Sequence, residues 1–233
     1  MKRILFSLMA AMAFGAVVKA QNLQVHYDFG KERKMITTTL EMFKPDKYGS
    51  TFFFVDMDYS NDDIRGTENG ISLGYWEIAR SFKWKDTQKF EPRVEFNSGG
   101  AWFGPINNAW LVGGQYTFNN ADFSRILTLQ ANAKHIKDGK INDDFSTENL
   151  MSFQLTAVWI VQLMEGKLSL MGFADFWRED TYFGDKKFRF LTEPQIWYNT
   201  CKNFSFGGEI EMSNNFVEDG FQVNPTLAVK WTF

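Results

Sequence analysis

Residues 222–233 read QVNPTLAVKWTF, and this stretch decides the fold. Val223, Pro225, Leu227, Val229, Trp231 and Phe233 are apolar, while Asn224, Thr226, Lys230 and Thr232 between them are polar; only Ala228 blurs the polar side. A period of two over that length is a strand with one apolar and one polar face.

The same alternation recurs along the chain. It predicts twelve strands, near residues 22 to 29, 34 to 43, 50 to 59, 71 to 82, 89 to 97, 109 to 118, 123 to 134, 149 to 162, 167 to 177, 188 to 198, 204 to 213 and 222 to 233. Most are about ten residues, longer than the five or six of soluble sheets and long enough to cross a bilayer at a tilt. The connections alternate in size. Lys44 to Gly49, Lys83 to Gln88, Asn119 to Asp122, Met164 to Gly166 and Asn199 to Asn203 are short; Ser60 to Gly70, Ser98 to Asn108, His135 to Glu148, Arg178 to Lys187 and Asn214 to Phe221 are longer. Gly30 to Arg33 is the one exception. With both termini periplasmic, the short turns fall on the inner side of an even-stranded barrel and the long loops outside.

Periodicity alone does not separate a membrane barrel from a soluble sandwich, which also alternates. Strand length, alternating loop size and the two chain ends favour an all-β transmembrane antiparallel barrel of about twelve strands. Trp84, Trp110, Phe118, Trp159, Tyr198 and Trp231 fall near predicted strand ends, where an interfacial girdle lies. Pro194 and Pro225 each remove a ladder donor and mark weakened pairings, and Gly113–Gly114 and Gly207–Gly208 mark bends or close approaches.

At the other end, Lys2 and Arg3 precede an apolar or small run from Ile4 to Val18, and Val18-Lys19-Ala20 fits a cleavage site before Gln21. Residues 1–20 read as a secretory signal peptide and 21–233 as the barrel. Without Lys2, Arg3 and Lys19, 22 of the 25 Lys and Arg remain against 28 Asp and Glu, so the exported chain is acidic and unsuited to nucleic acid. A single cysteine, Cys201, allows no internal disulfide. The alternating stretch that ends at Phe233 resembles the closing strand of outer-membrane barrels, whose final Phe is read by the barrel-assembly machinery. That resemblance implies the outer membrane of a Gram-negative bacterium, with the lipid bilayer and the assembly machinery as partners; a monomer is expected.

Two stretches are similar to the nucleoside-specific, Tsx-type channel-forming proteins. One is Leu40-Glu41-Met42-Phe43-Lys44-Pro45-Asp46-Lys47-Tyr48-Gly49 running on to Phe53-Phe54-Val55-Asp56. The other is Trp76-Glu77-Ile78-Ala79-Arg80-Ser81-Phe82, with Ala79 where that family has proline; Phe103-Gly104 to Tyr116 looks like the next hairpin. The chain more closely resembles an uncharacterised outer-membrane family of similar length that is itself Tsx-like. The resemblance implies a passive channel for nucleosides or related aromatic metabolites and raises Glu41, Asp56 and Glu77 among the candidate residues.

Strand parity sends Phe52, Phe54, Asp56, Tyr75 and Glu77 to one inward face. With Glu41, Arg93 and Glu193 they make the candidate pore lining, and Phe173 and Trp197 add aromatic faces on later strands. Aromatic rings stack nucleobases and carboxylates accept from ribose hydroxyls. The structural reading stands beside this one: carboxylates near Arg93, Arg189 and Lys230 form a neutralising ladder, and aromatics fill the lumen. Asp56 and Asp58 share a face without a histidine, so neither a metal nor another cofactor is expected. His26 with Asp28 on one face is a possible base and orienter, but no serine is marked as nucleophile, so an enzyme is not expected. The rival to a channel is a structural or partner-binding barrel.

Overall fold

A computed structural model describes residues 21–31, 33–60, 62–65, 70–137, 140–142, 145–146, 149–179, 188–217 and 219–233. The expected signal peptide, residues 1–20, lies outside them. Strands β1 (Gln21–Asp28), β2 (Ile36–Asp46), β3 (Gly49–Ser60), β4 (Gly70–Phe82), β5 (Phe90–Ala101), β6 (Gly104–Asn119) and β7 (Arg125–Ile136) come first. After them come β8 (Leu150–Leu163), β9 (Leu168–Arg178), β10 in two segments (Phe188–Thr192 and Gln195–Asn199), β11 (Phe204–Asn214) and β12 (Phe221–Thr232). A four-residue helix, α1 (Asp62–Arg65), stands between β3 and β4, and a small hairpin, Lys140–Asn142 with Phe145–Ser146, between β7 and β8.

Each strand pairs antiparallel with the next, and β1 pairs with β12 from Asn22 opposite Thr232 to Asp28 opposite Thr226. Twelve strands therefore close on themselves, and closure leaves no row of unpaired backbone groups in lipid. A twelve-residue strand at about 3.4 Å per residue and a tilt near 45° rises about 29 Å, matching a hydrocarbon core of about 30 Å. Strand length is thus set by the membrane.

The polar face points in and the apolar face out. On β1, Gln24, His26 and Asp28 are buried while Leu23, Val25 and Tyr27 are exposed; on β12, Val223, Leu227, Trp231 and Phe233 are exposed while Lys230 is buried. In a bilayer this outward face meets lipid tails, so its exposure to water in isolation is the mark of a membrane surface rather than a defect. Trp84, Phe118, Tyr198 and Trp231 form an exposed aromatic belt at the end carrying both termini, with Tyr48 and Phe123 in the adjoining turns. Phe29, Phe188 and Phe221 stand exposed toward the opposite end. Trp110 and Trp159 do not belong to the belts: β6 begins at Gly104, which leaves Trp110 well inside the strand, and Trp159 lies against Gly172 of β9.

Pro194 splits β10 without shifting its register: Thr192 faces Ala174 and Gln195 faces Met171 on β9, so the chain runs through the break in phase. Two expected connections differ. Ser98 to Asn108 is no long loop. After a register shift between Asn97 and Gly99, pairing continues to Ala101 opposite Gly104, leaving only Trp102 and Phe103 as the turn. Its Gly and Pro content suggested a loop, whereas Gly99 is there because a Cβ would meet the backbone of β4. The first connection, expected at Gly30 to Arg33, extends from Phe29 to Met35 because β2 begins later than its pattern suggested.

Candidate functional site

The register of β2 to β5 writes the inner wall as rows. Phe43, Phe52, Ala79 and Glu95 face one another across the four strands; the next inward row is Glu41, Phe54, Glu77 and Asn97; the third is Thr39, Asp56, Tyr75 and Gly99. Acids and aromatic rings are therefore interspersed on the wall, and across the middle row they alternate, Glu41, Phe54, Glu77. The ring centroids of Phe52 and Phe54 lie 5.9 Å apart, as do those of Phe54 and Tyr75. The Tyr75 hydroxyl donates to Glu77 Oε1 at 2.6 Å, and Asn22 Nδ2 donates to Glu41 Oε1 at 3.0 Å. These bonds orient the two carboxylates along the wall.

This wall borders a cavity of about 2440 Å³ whose lining runs from Phe43, Lys47 and Lys83 at the terminal end to Arg33, Arg65 and Phe216 at the other. Spread over about 30 Å of hydrocarbon, that volume has a mean cross-section of about 80 Å², a mean width of about 10 Å. All eight expected residues, Glu41, Phe52, Phe54, Asp56, Tyr75, Glu77, Arg93 and Glu193, lie on its surface. Glu193, at the break in β10, belongs to the opposite wall with Phe173, Asp175, Glu209 and Glu211.

Part of the expected neutralising ladder is present. Arg93 Nη2 lies 2.5 Å from Glu95 Oε2 on the same strand, and Arg189 Nη1 lies 3.7 Å from Glu179 Oε2. Lys230 does something else: its Nζ sits 4.0 Å from the Trp197 ring centroid and 3.8 Å from Met171 Sδ. Trp197 is fully buried, so it is part of the wall and not of the lumen surface. A Cβ on Gly207 would come within 2.8 Å of the Trp197 ring, so glycine there makes the space the indole fills. His26 meets the ring edge-on, with centroids 5.9 Å apart, and Trp197 Nε1 donates to Gln195 Oε1 at 2.9 Å. This cluster thickens one side of the barrel near the terminal end.

His26 and Asp28 do not form a base with its orienter. His26 bonds Thr226 Oγ1 at 2.9 Å and Gln24 Oε1 at 3.0 Å, while Asp28 accepts the Gly30 amide at 2.7 Å and pairs with Arg33 Nε at 2.7 Å. Arg33 and Arg65 were not singled out in the sequence. Arg33 reaches from the first connection into the barrel and joins Asp28 to Glu211 of β11, the latter at 2.6 Å. Burial opposes its charge, but the carboxylates of Glu211 and Asp28 outweigh burial and hold the guanidinium above its ordinary value. Arg65 of α1 pairs with Asp58 at 2.7 Å and lies 3.9 Å from the Trp102 ring centroid. The only signal for either was a cation in a connection next to an inward acid: Arg33 follows Asp28 and Arg65 follows Asp58.

A closed twelve-strand barrel with an apolar outer face, aromatic belts and a polar lumen defines the class: a porin-like β-barrel of the Gram-negative outer membrane. Within that class the chain belongs to the family described as Domain of unknown function (DUF5020), whose model matches residues 20–233. Solved structures share the fold at low identity. The NanC porin is 10% identical with a TM-score of 0.62, the alignment covering 92% of this chain and 100% of that one. An outer membrane channel from Pseudomonas putida F1 is 12% identical at 0.57, covering 92% and 96%. The outer membrane phospholipase A of Escherichia coli is 10% identical at 0.56, covering 91% and 95%. The KdgM porin, in complex with disordered oligogalacturonate, is 13% identical at 0.50, covering 92% and 99%. A comparison with curated protein sequences finds no match.

Proposed function

We propose that the protein is a passive outer-membrane channel for small polar solutes, with nucleosides or related aromatic metabolites as the preferred class. The observation that carries this reading is the cavity lined from one end of the barrel to the other, with acids and aromatic rings interspersed on its β2 to β4 wall. A nucleoside fits a cavity about 10 Å in mean width, and stacking on Phe52, Phe54 or Tyr75 contributes about 1–3 kcal/mol per base, enough to bias passage without trapping the solute. Asp56 and Glu77 accept from its hydroxyls. The Tsx-like stretches around Glu41 to Asp56 and Trp76 to Arg80 support the same class. Both termini face the periplasm in this reading, and Phe233 contacts the assembly machinery.

A structural barrel is the second reading, favoured by the packed cluster around Trp197 and the ion pairs that tie Arg33 and Arg65 to the wall. Catalysis finds less support: Asp28 is held by Arg33, His26 is buried against Trp197 with Gln24, Thr226 and Glu209 about it, and likeness to a phospholipase at 10% identity speaks to fold. Liposome swelling separates the readings. Nucleosides entering faster than sugars of equal size is the expected result; equal rates reduce the protein to a general pore, and no swelling from folded barrels leaves only the structural role.

A further inference from the structure

Away from the mouths, where Lys31, Lys47, Lys83 and Lys89 stand with Asp86 and Glu91 on the lining, the inward charges fall into two sets. One set is paired: Arg33 with Asp28 and Glu211, Arg65 with Asp58, Arg93 with Glu95, and Arg189 with Glu179. The other consists of Glu41, Asp56, Glu77, Asp175, Glu193 and Glu209, and among the described residues no Lys or Arg lies within ion-pair distance of any of them. Their neighbours are neutral: Asn22 for Glu41, Tyr75 for Glu77, Thr156 for Asp175 and Gln195 for Glu209, which also has the His26 imidazole at 3.4 Å. Two buried cations nearby are held elsewhere. Lys134 donates to Gln154 Oε1 at 2.9 Å and lies over Trp177, and Lys230 lies over Trp197.

The six acids sit on two arcs, β2 to β4 and β9 to β11, half a barrel apart, so they face each other across the cavity. A second, independent feature points the same way. Asn97, 3% exposed and in the row of Glu77, lines the cavity with its Oδ1 unmatched by any donor, and Asp56 Oδ1 is buried and likewise unmatched. The unmatched donors on the cavity lining, Arg93 Nε and Arg189 Nε, belong to guanidiniums already paired with carboxylates, whereas a buried acceptor left alone is unfavourable until something donates to it. Between the acids stand Phe52, Phe54 and Tyr75, whose ring faces attract cations. An anion entering here would meet carboxylates on both sides and few donors.

We propose that the lumen selects cations, and that its preferred solute carries a positively charged nitrogen bearing N–H groups beside a flat apolar face. This rests on the channel reading and, within its aromatic class, selects positively charged metabolites over neutral nucleosides. The first test needs no variant: the purified barrel in a planar bilayer under a KCl gradient at pH 8. Potassium should be favoured over chloride by about tenfold, a ratio that the paired Asp56→Asn/Glu193→Gln variant lowers to roughly a third, while Asp122→Asn in a turn leaves it unchanged. Phenethylamine, phenethyl alcohol and phenylacetate share one ring and differ in charge; block of the potassium current should fall in that order. A conducting barrel that prefers chloride, shows no preference, or is blocked best by phenylacetate overturns this proposal and leaves the channel standing. Folded barrels that do not conduct overturn both.

Discussion

Trp197 is the side chain whose removal should change the barrel most. It lies between two inward rows: Met171, Gln195 and Glu209 border the main cavity, while Asn199, Ser205 and Lys230 border a recess of about 440 Å³ open at the terminal end, which Met171 also touches. Trp197→Ala removes the enclosed indole behind Met171, the side chain that borders both spaces, and so opens the partition between them. Joining 440 Å³ to 2440 Å³ enlarges the cavity by about a fifth, and because the gain is confined to the terminal half, conductance should rise by at least about that fraction if that half limits flow. The same change costs stability. Truncating a fully buried Trp costs about 3–5 kcal/mol, and the Lys230 ammonium loses a ring face worth about 2 kcal/mol when desolvated, a term already inside that range. Single-channel recording and urea unfolding followed by heat-modifiable migration are the assays. Trp197→Phe should fall between parent and alanine on both. Conductance unchanged in Trp197→Ala, with unfolding unshifted, would refute the view that this cluster is a packed partition.

Other outcomes follow from the same geometry. Phe54→Ala should weaken nucleoside block of single-channel current about tenfold, corresponding to roughly 1.4 kcal/mol of stacking, with ion conductance intact or raised; block equal to the parent's would place the site elsewhere. Asp56→Asn should lower affinity for ribosides more than for free bases, since only ribosides offer hydroxyls to the lost charge, and equal losses would remove that role. Phe233→Asp should lower the amount of folded barrel and not the transport of what folds, because Phe233 packs on Trp231 at the lipid face, where a charge costs about 0–4 kcal/mol depending on depth; normal folded levels would contradict it. A cysteine at Asn142 should be labelled by an impermeant reagent in intact cells and one at Lys47 should not; the reverse pattern would invert the proposed topology.

Much of this fold was legible because the bilayer imposes a rule on every strand separately. Val223, Leu227 and Trp231 must face lipid whatever lies beside them, so parity alone placed Phe52, Phe54, Asp56, Tyr75 and Glu77 on the cavity wall. Parity says in or out. It does not say which inward side chain fills space and which borders it, since that depends on the neighbouring strand. Trp197 and Phe173 have the same inward parity, yet Trp197 is enclosed because β11 presents Gly207 opposite it, whereas Phe173 stays on the cavity. Nor does parity pair charges: Lys230 is drawn onto an indole and Arg33 onto Glu211, 178 residues away. Composition misled at Ser98 to Asn108, where Gly99, which relieves crowding against β4, looked like a loop glycine. The consequence is functional. Because those cations are held by partners the sequence did not reveal, the acids facing the lumen stay in excess, and the charge of the solute, invisible in the alternation, becomes the property most directly set by the fold.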